Sequence, residues 1–261
     1  MEANILQRII DAKRISLEHS RKDISDAAMA TRADEASERR KVISMSDALR
    51  AKSPAAVIAE FKRRSPSKGW ISPDGDPASV VGTYYAEGAA AASVLTEEDF
   101  FGGSAADLIA ARAAAPAMPI IRKDFIIEPY QIDEARVIGA DAILLIASAL
   151  TPGDAAAIAA HARSRGLEVL LELHTPEEIE YVNGVAPDMV GVNNRRLADF
   201  ITSISVAEQM ASLLPQEAVK VAESGVAGPD DVACLQRAGF DAFLVGEYLM
   251  RGHSINSLFS K

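Results

Sequence analysis

The chain has 261 residues, of which 49% are hydrophobic, enough apolar material for one large core. Lys and Arg total 27 against 37 Asp and Glu, a net charge of -10 that disfavours non-specific binding to nucleic acid or an anionic membrane, while a small anionic ligand needs only a few local cations. No apolar run approaches the roughly 20 residues of a spanning helix; Met1 to Ser20 carries charges throughout without an apolar signal core, and the single cysteine, Cys234, has no internal partner, so a cytoplasmic protein is expected.

In chain order, residues 4–19 place Ile5, Ile9 and Ala12 on one helical face with Leu6, Ile10 and Lys13 alongside, which predicts an amphipathic helix. Residues 21–41 are rich in charge and alanine and are expected to form an exposed helix or a mobile arm, with the run Glu38 to Lys41 on a solvated face. From Val57 a rhythm begins. Short apolar runs at 57–61, 91–95, 119–122, 142–147, 168–173, 189–193, 219–222 and 242–246 alternate with helical patterns at 77–87, 104–114, 129–138, 152–165, 176–183, 204–214 and 229–238. Several helical patterns open with proline after Asp, Glu or Thr, and several stop at Gly88, Gly139, Gly166 or Gly239. A last helix is expected after Gly246, and Cys234 is expected on a buried helix face. Strand–helix alternation implies a parallel sheet, and eight units predict an α/β fold, a closed (β/α)8 TIM barrel. An open doubly wound sheet would want a glycine-rich loop after its first strand, where this chain has R-R-S-P-S-K-G. Residues 1–261 are expected to form a single domain, with residues 1–50 as an N-terminal helical extension.

Active sites of such barrels lie at the C-terminal strand ends. The first strand ends with Glu60 and Lys62, two residues apart and so on one face. That pair alone fits a structural ion pair equally well. The third strand ends with Arg122-Lys123-Asp124-Phe125, the fifth carries Glu172, the sixth ends with Asn193-Asn194-Arg195 and the seventh with Glu223-Ser224-Gly225. Two lysines and three carboxylates converging on one mouth would perturb one another and serve as acid and base. Small residues after strands seven and eight, including Ser224, Gly225 and Gly246, suit a phosphate cradle. The first-strand loop, Arg63 to Asp76, is the expected lid.

The ordered motifs I-A-E-F-K-R-R-S-P-S-K-G (58–69), S-V-L-T-E-E-D-F-F-G-G-S (93–104), R-K-D-F-I-I-E-P-Y-Q (122–131), L-L-E-L-H (170–174), G-V-N-N-R-R-L (191–197) and V-A-E-S-G-V (221–226) resemble those of indole-3-glycerol phosphate synthase. The resemblance covers essentially the whole chain, extension included. It implies ring closure, decarboxylation and dehydration of 1-(2-carboxyphenylamino)-1-deoxyribulose 5-phosphate in tryptophan biosynthesis. It casts Lys123 as general acid and Lys62 as the contact to the substrate carboxylate, with a possible proton for the dehydration. It makes Glu172 and Glu60 the carboxylates of the later proton transfers, leaving open which is acid and which is base. Asn193 matches a hydrogen-bonding residue at the substrate hydroxyls and Glu223 a buried carboxylate at the same mouth. Ser65, Ser224, Gly225, Gly246 and the backbone of Glu247 match the phosphate cradle. Pro66, Phe101, Phe125, Leu144, Leu197 and Val245 match the apolar walls around the aromatic ring. No metal and no cofactor is implied, and the four histidines are scattered; His174, next to the mouth, is expected in a supporting role. The expected partner is a small phosphorylated substrate, with no nucleic acid and no membrane, the protein being a monomer or weak homo-oligomer.

Tyr248 departs from the small residue usual in the family and is expected to open the last helix and point outward. A second isomerase barrel, fused behind this one in some relatives, is not expected, the numbering stopping at Lys261. Phosphoribosylanthranilate isomerase, a sister barrel, would want a first-strand cysteine that is missing here. A non-catalytic phosphate-binding barrel would have lost one or more catalytic residues.

Overall fold

The computed structural model describes residues 5–196 and 201–260. Eight parallel strands close into a barrel: β1 (Ala56–Phe61), β2 (Ala91–Leu95), β3 (Ile120–Lys123), β4 (Ala142–Ile146), β5 (Glu168–Leu173), β6 (Met189–Asn193), β7 (Val219–Glu223) and β8 (Ala242–Val245). Pairing runs through the strands in sequence order, and β8 returns to β1 from Ala56–Ala242 to Ala59–Val245. Each of the eight apolar runs holds one strand. The runs are near-continuously apolar because both faces of a barrel strand are covered. Outward residues such as Val57, Ala59, Val169 and Leu171 pack against the helices. Inward residues such as Ala56, Ile58, Leu144 and Leu170 fill the barrel interior. Each fully buried Ile or Leu contributes ~1.5–3 kcal/mol.

Three helices precede β1: α1 (Ile5–Asp23), α2 (Asp26–Arg39) and α3 (Met45–Arg50). Met45 and Leu49 of α3 join the inner core and close the N-terminal end of the barrel. Then come α4 (Pro77–Ala86), α5 (Ala105–Ala114), α6 (Tyr130–Ile138), α7 (Pro152–Ser164), α8 (Tyr181–Val185), α9 (Ser205–Met210), α10 (Pro229–Arg237) and α11 (Glu247–Met250). The start signals work as predicted at Pro77 and Pro152. There Asp76 accepts the N–H of Ser79 and Thr151 that of Asp154, satisfying donors the first turn leaves free. Residues 176–183 differ from expectation: Pro176–Glu180 is a 3-10 turn running into the short α8. Residues 204–214 likewise split into α9 and the 3-10 turn Ala211–Leu213.

Of the alternatives for residues 21–41 the helix holds: α2 is mostly exposed but buries Met29 and Ala33, Met29 packing beside Tyr130 of α6. Two further expectations are corrected. Arg40 leaves the expected solvated face and ion-pairs with the buried Asp141 at 2.6 Å. Cys234 lies beside, not on, the buried face of α10, which is formed by Val232 and Leu235; its Sγ donates to Glu208 at 2.9 Å. Among the described residues, no helix is long and apolar enough to cross a membrane.

Candidate active site

The period-two alternation of each strand decides what reaches the mouth. Inward positions run Ala56, Ile58, Glu60, Lys62 along β1 and past its end, and Leu170, Glu172 along β5. Val221 leads to Glu223 on β7 in the same way, and Ile121 to Lys123 on β3. The interior is thus apolar below and charged above. A cavity of about 730 Å³ opens over the charged layer, within the usual range for a small-molecule site.

On its floor, Lys123 Nζ donates to Glu172 Oε2 at 2.6 Å and to Glu223 Oε2 at 2.9 Å. Lys62 bonds Glu60. Asn193 Nδ2 donates to Glu172 Oε1 at 3.0 Å, while its Oδ1 accepts the N–H of Arg195, so the amide is locked from both ends. His174 stands behind Glu172, its Nε2 3.3 Å from Oε1. Among the described residues, Glu223 Oε1 is buried without a hydrogen-bond partner. Two glycines make room for this layer. A Cβ on Gly191 would lie 2.1 Å from Glu223 Oε1, and one on Gly246 2.4 Å from Glu60 Oε1.

Burial would lower the Lys123 ammonium, but Glu172, Glu223 and Glu60 outweigh it and hold the lysine protonated. Burial likewise works to raise Glu172, yet Lys123, His174 and the Asn193 amide hold it down, to about 2. For Glu223 burial wins: against the opposing pull of Lys123, and helped by the charge of Glu172, it pushes this carboxyl up to about 8. Neighbouring carboxyls around one lysine are therefore pushed in opposite directions, Glu172 down and Glu223 up, the pattern that separates acid from base roles.

One flank of the cavity is apolar. Pro66, Phe101, Phe125, Leu144 and Val245 all line it as the sequence implies, the Phe101 and Phe125 rings 6.0 Å apart. Leu197 lies outside the described residues. The other flank carries Ser224, Gly225, Gly246 and Glu247. Ser224 (φ 63) and Gly225 (φ 81) are consecutive left-handed residues. The conformation costs a non-glycine residue roughly 1–2 kcal/mol, and Asn194 supports it by donating Nδ2 to the Ser224 carbonyl at 3.1 Å.

Not every strand-end polar residue reaches the mouth. Arg122 points outward and is buried among Thr96, Asp124, Glu134 and the Gln131 carbonyl. Asn194 also turns away, accepting the N–H of Ala207. Ser65 is buried in the turn, its Oγ accepting the N–H of Lys68, and Ser67 and Lys68 line the cavity instead. Tyr248 opens α11 as expected but does not point clear of the site. It lines the rim, its ring stacked on His253 at 4.2 Å and its hydroxyl on Ser257 at 2.9 Å.

The sequence reading missed Ile5, Leu6 and Ile9 of α1, which line the cavity, together with Arg251 and His253. It quoted Arg195 without a role. Arg195 lines the cavity and donates to Ser67 Oγ at 2.9 Å, bridging the first-strand and sixth-strand loops. The helical face of residues 4–19 was the available signal for α1, since an apolar stripe has to cover something. Among the described residues no group of three or more His, Cys, Asp or Glu side chains is placed to hold a metal ion.

The barrel itself is widely shared. The structure resembles 3-hexulose-6-phosphate synthase from Salmonella typhimurium with a TM-score of 0.62 at 12% identity, over 78% of this chain and 94% of that one. It resembles thiamine phosphate pyrophosphorylase from Pyrococcus furiosus with a TM-score of 0.58 at 15% identity, over 81% and 94%. These likenesses show the fold alone. Sequence is more specific. The chain is 46% identical over 248 residues to an indole-3-glycerol phosphate synthase of Bacteroides thetaiotaomicron, covering 95% of this chain and 93% of the relative. It is 42% identical over 260 residues to one from Roseiflexus sp., covering 97% and 96%. The sequence model of the family described as indole-3-glycerol phosphate synthase matches residues 6–260, and the chain belongs to that family.

Proposed function

We propose that the chain carries out the reaction its family membership implies, with the mouth residues in the following roles. The enzyme is a carboxy-lyase of tryptophan biosynthesis. It closes 1-(2-carboxyphenylamino)-1-deoxyribulose 5-phosphate to indole-3-glycerol phosphate, releasing carbon dioxide and water. The ring carbon bearing the carboxylate attacks the ketone carbon, and Lys123 delivers a proton to the ketone oxygen as the new bond forms. Carbon dioxide then leaves, and the electron pair of the broken bond returns to the ring. In the last step the hydroxyl on the former ketone carbon departs as water with a proton from Lys62, while Glu172 takes a proton from the neighbouring ring methylene next to nitrogen, forming the double bond that completes the indole. Glu60 holds Lys62, and Asn193 orients Glu172 and the substrate hydroxyls.

The observation that carries this reading is the pair of contacts from Lys123 to Glu172 and Glu223, beneath an apolar flank on one side and a small-residue cradle on the other. Those contacts also order the steps. Lys123 is the largest of the attractions that hold Glu172 down. Once Lys123 has given its proton to the ketone oxygen, that attraction is gone and Glu172 becomes the stronger base the dehydration requires. The neutral Glu223 keeps the pocket from carrying adjacent full negative charges. The apolar walls exclude water and strengthen the lysine's interactions.

We read residues 1–261 as one barrel domain with residues 1–50 as its extension, a reading supported by α1 residues in the cavity wall. We take the protein to be cytoplasmic and a monomer or weak homo-oligomer, acting on a small phosphorylated substrate and not on nucleic acid, in keeping with the net charge of -10. Mixing the protein with the substrate and following indole fluorescence tests the function. A rise is expected. A flat trace accompanied by thermal stabilisation would mean a ligand site without the chemistry.

A further inference from the structure

Outside the catalytic floor, a buried ion pair joins the extension to the barrel. Lys13 Nζ of α1 lies 2.8 Å from Asp124 Oδ1, and the two side chains are 9% and 0% exposed. Asp124 directly follows Lys123, and its other partners belong to the barrel. It accepts from the Thr96 hydroxyl at 2.7 Å, from Arg122 at 3.0 Å and from the N–H of Phe125 at 2.8 Å. Glu97, close enough to be affected by the charge of Lys13, accepts the N–H groups of Phe100 at 2.8 Å and Phe101 at 2.9 Å. Lys13 therefore stands where the ends of β2 and β3 meet α1.

Ile5, Ile9 and Lys13 are spaced by four and share one face of α1. Ile5, Leu6 and Ile9 line the cavity beside Phe101 and Phe125. If the pair served only to hold the helix down, an apolar side chain would do as well, because a buried ion pair forfeits most of its attraction to desolvation. What the pair adds is a single register. We infer that Lys13 is a positioning residue for the reaction: through Asp124 it fixes α1 so that Ile5, Leu6 and Ile9 complete the wall over the aromatic end of the substrate, and it ties that wall to the segment carrying Lys123 and Phe125. The phosphate cradle lies across the barrel, after β7 and β8, away from this latch. The inference rests on the proposed function, which puts an aromatic ring against that wall.

The test compares Lys13→Met with the parent in steady-state turnover, in inhibition by inorganic phosphate and in thermal melting. KM is expected to rise about tenfold, the effect of a small misplacement of binding groups. The melting temperature should fall, because a buried pair is broken, although Asp124 keeps Arg122, Thr96 and the Phe125 N–H. Below the melting range the phosphate inhibition constant should stay within about twofold, and Lys13→Arg, which restores the charge, should recover part of the KM loss. A KM within about twofold of the parent would overturn the inference. So would a phosphate constant that rises in step with KM, since that reports general loosening. Should Lys13→Met fail to fold, Lys13→Met/Asp124→Asn removes both charges and carries the same expectations; parental KM in that protein overturns the inference. An inactive parent overturns the functional reading, and this inference with it. An active parent with an indifferent Lys13→Met overturns this inference alone.

Discussion

Carboxylates at the two ends of the same barrel differ in how completely they are bound. Asp141, just before β4, has both oxygens filled. Oδ1 accepts from Arg40 at 2.6 Å and from the N–H of Ile43 at 2.9 Å, and Oδ2 from Arg112 and from the N–H of Ile120 at 2.9 Å. Glu168, at the start of β5, accepts from the hydroxyls of Ser44 and Ser46 and from the N–H groups of Met45 and Ser46, all within 2.7–2.9 Å. At the other end Glu223 has one oxygen on Lys123 and, among the described residues, no hydrogen-bond partner for the other. A carboxylate with every lone pair occupied fastens the fold and has no capacity left for chemistry. One left partly open beside a lysine, under a cavity, keeps a proton within reach of transfer.

The largest expected effect tests the open end. Lys123→Ala should keep the circular dichroism of the parent and lose about 10³-fold or more in turnover, as removal of a general acid with its electrostatic stabilisation does. Near-parental turnover by indole fluorescence would erase the distinction between the two ends. The closed end should respond in the opposite sense. Asp141→Ala leaves Arg40 and Arg112 without their shared anion and should cost about 3–5 kcal/mol of stability in urea, with kcat/KM unchanged below the melting range. A marked loss of kcat/KM there would mean the closed end takes part in catalysis.

Glu172→Gln divides the open end further. Single-turnover traces should show dehydration slowed about a hundredfold and ring closure much less. Equal slowing of both steps would move Glu172 into the ring closure. The last expected effect is a pH dependence. Glu223 sits at about 8 rather than 4.5, so above pH 4.5 the folded protein keeps a proton that the unfolded chain has lost. Stability from this group is full below pH 4.5 and declines as pH climbs to about 8. Glu172, at about 2 rather than 4.5, runs the other way: its contribution is present above 4.5 and lost as pH falls toward 2. Urea midpoints across pH should show Glu223→Gln flattening the decline between 4.5 and 8 and sparing the acid limb. A decline that persists in full would assign it to another group.

The eight strands were legible because the repeat is local: an apolar run, a helix start at Asp76-Pro77 or Thr151-Pro152, and a glycine stop before the next run each depend on neighbours in sequence. The charged floor was legible for the same reason. Alternation along a strand sends Lys123 inward and Arg122 outward once the strand is located, although the bare run Arg122-Lys123-Asp124 does not say which of its charges is which. Arg40 looked like part of a solvated run, and only its approach to Asp141, 101 residues away, made it a buried partner.

Sequence by itself determined the barrel, its active end and the two lysines and three carboxylates gathered there, since each follows from short-range periodicity and the ordered motifs. Tertiary structure alone decided that Glu223 is pushed up and Glu172 held down, that Gly191 must lack a side chain, and that the face of α1 walls the site. Proton affinity and close packing depend on what lies within a few ångströms, and those neighbours come from strands and helices far apart in the chain.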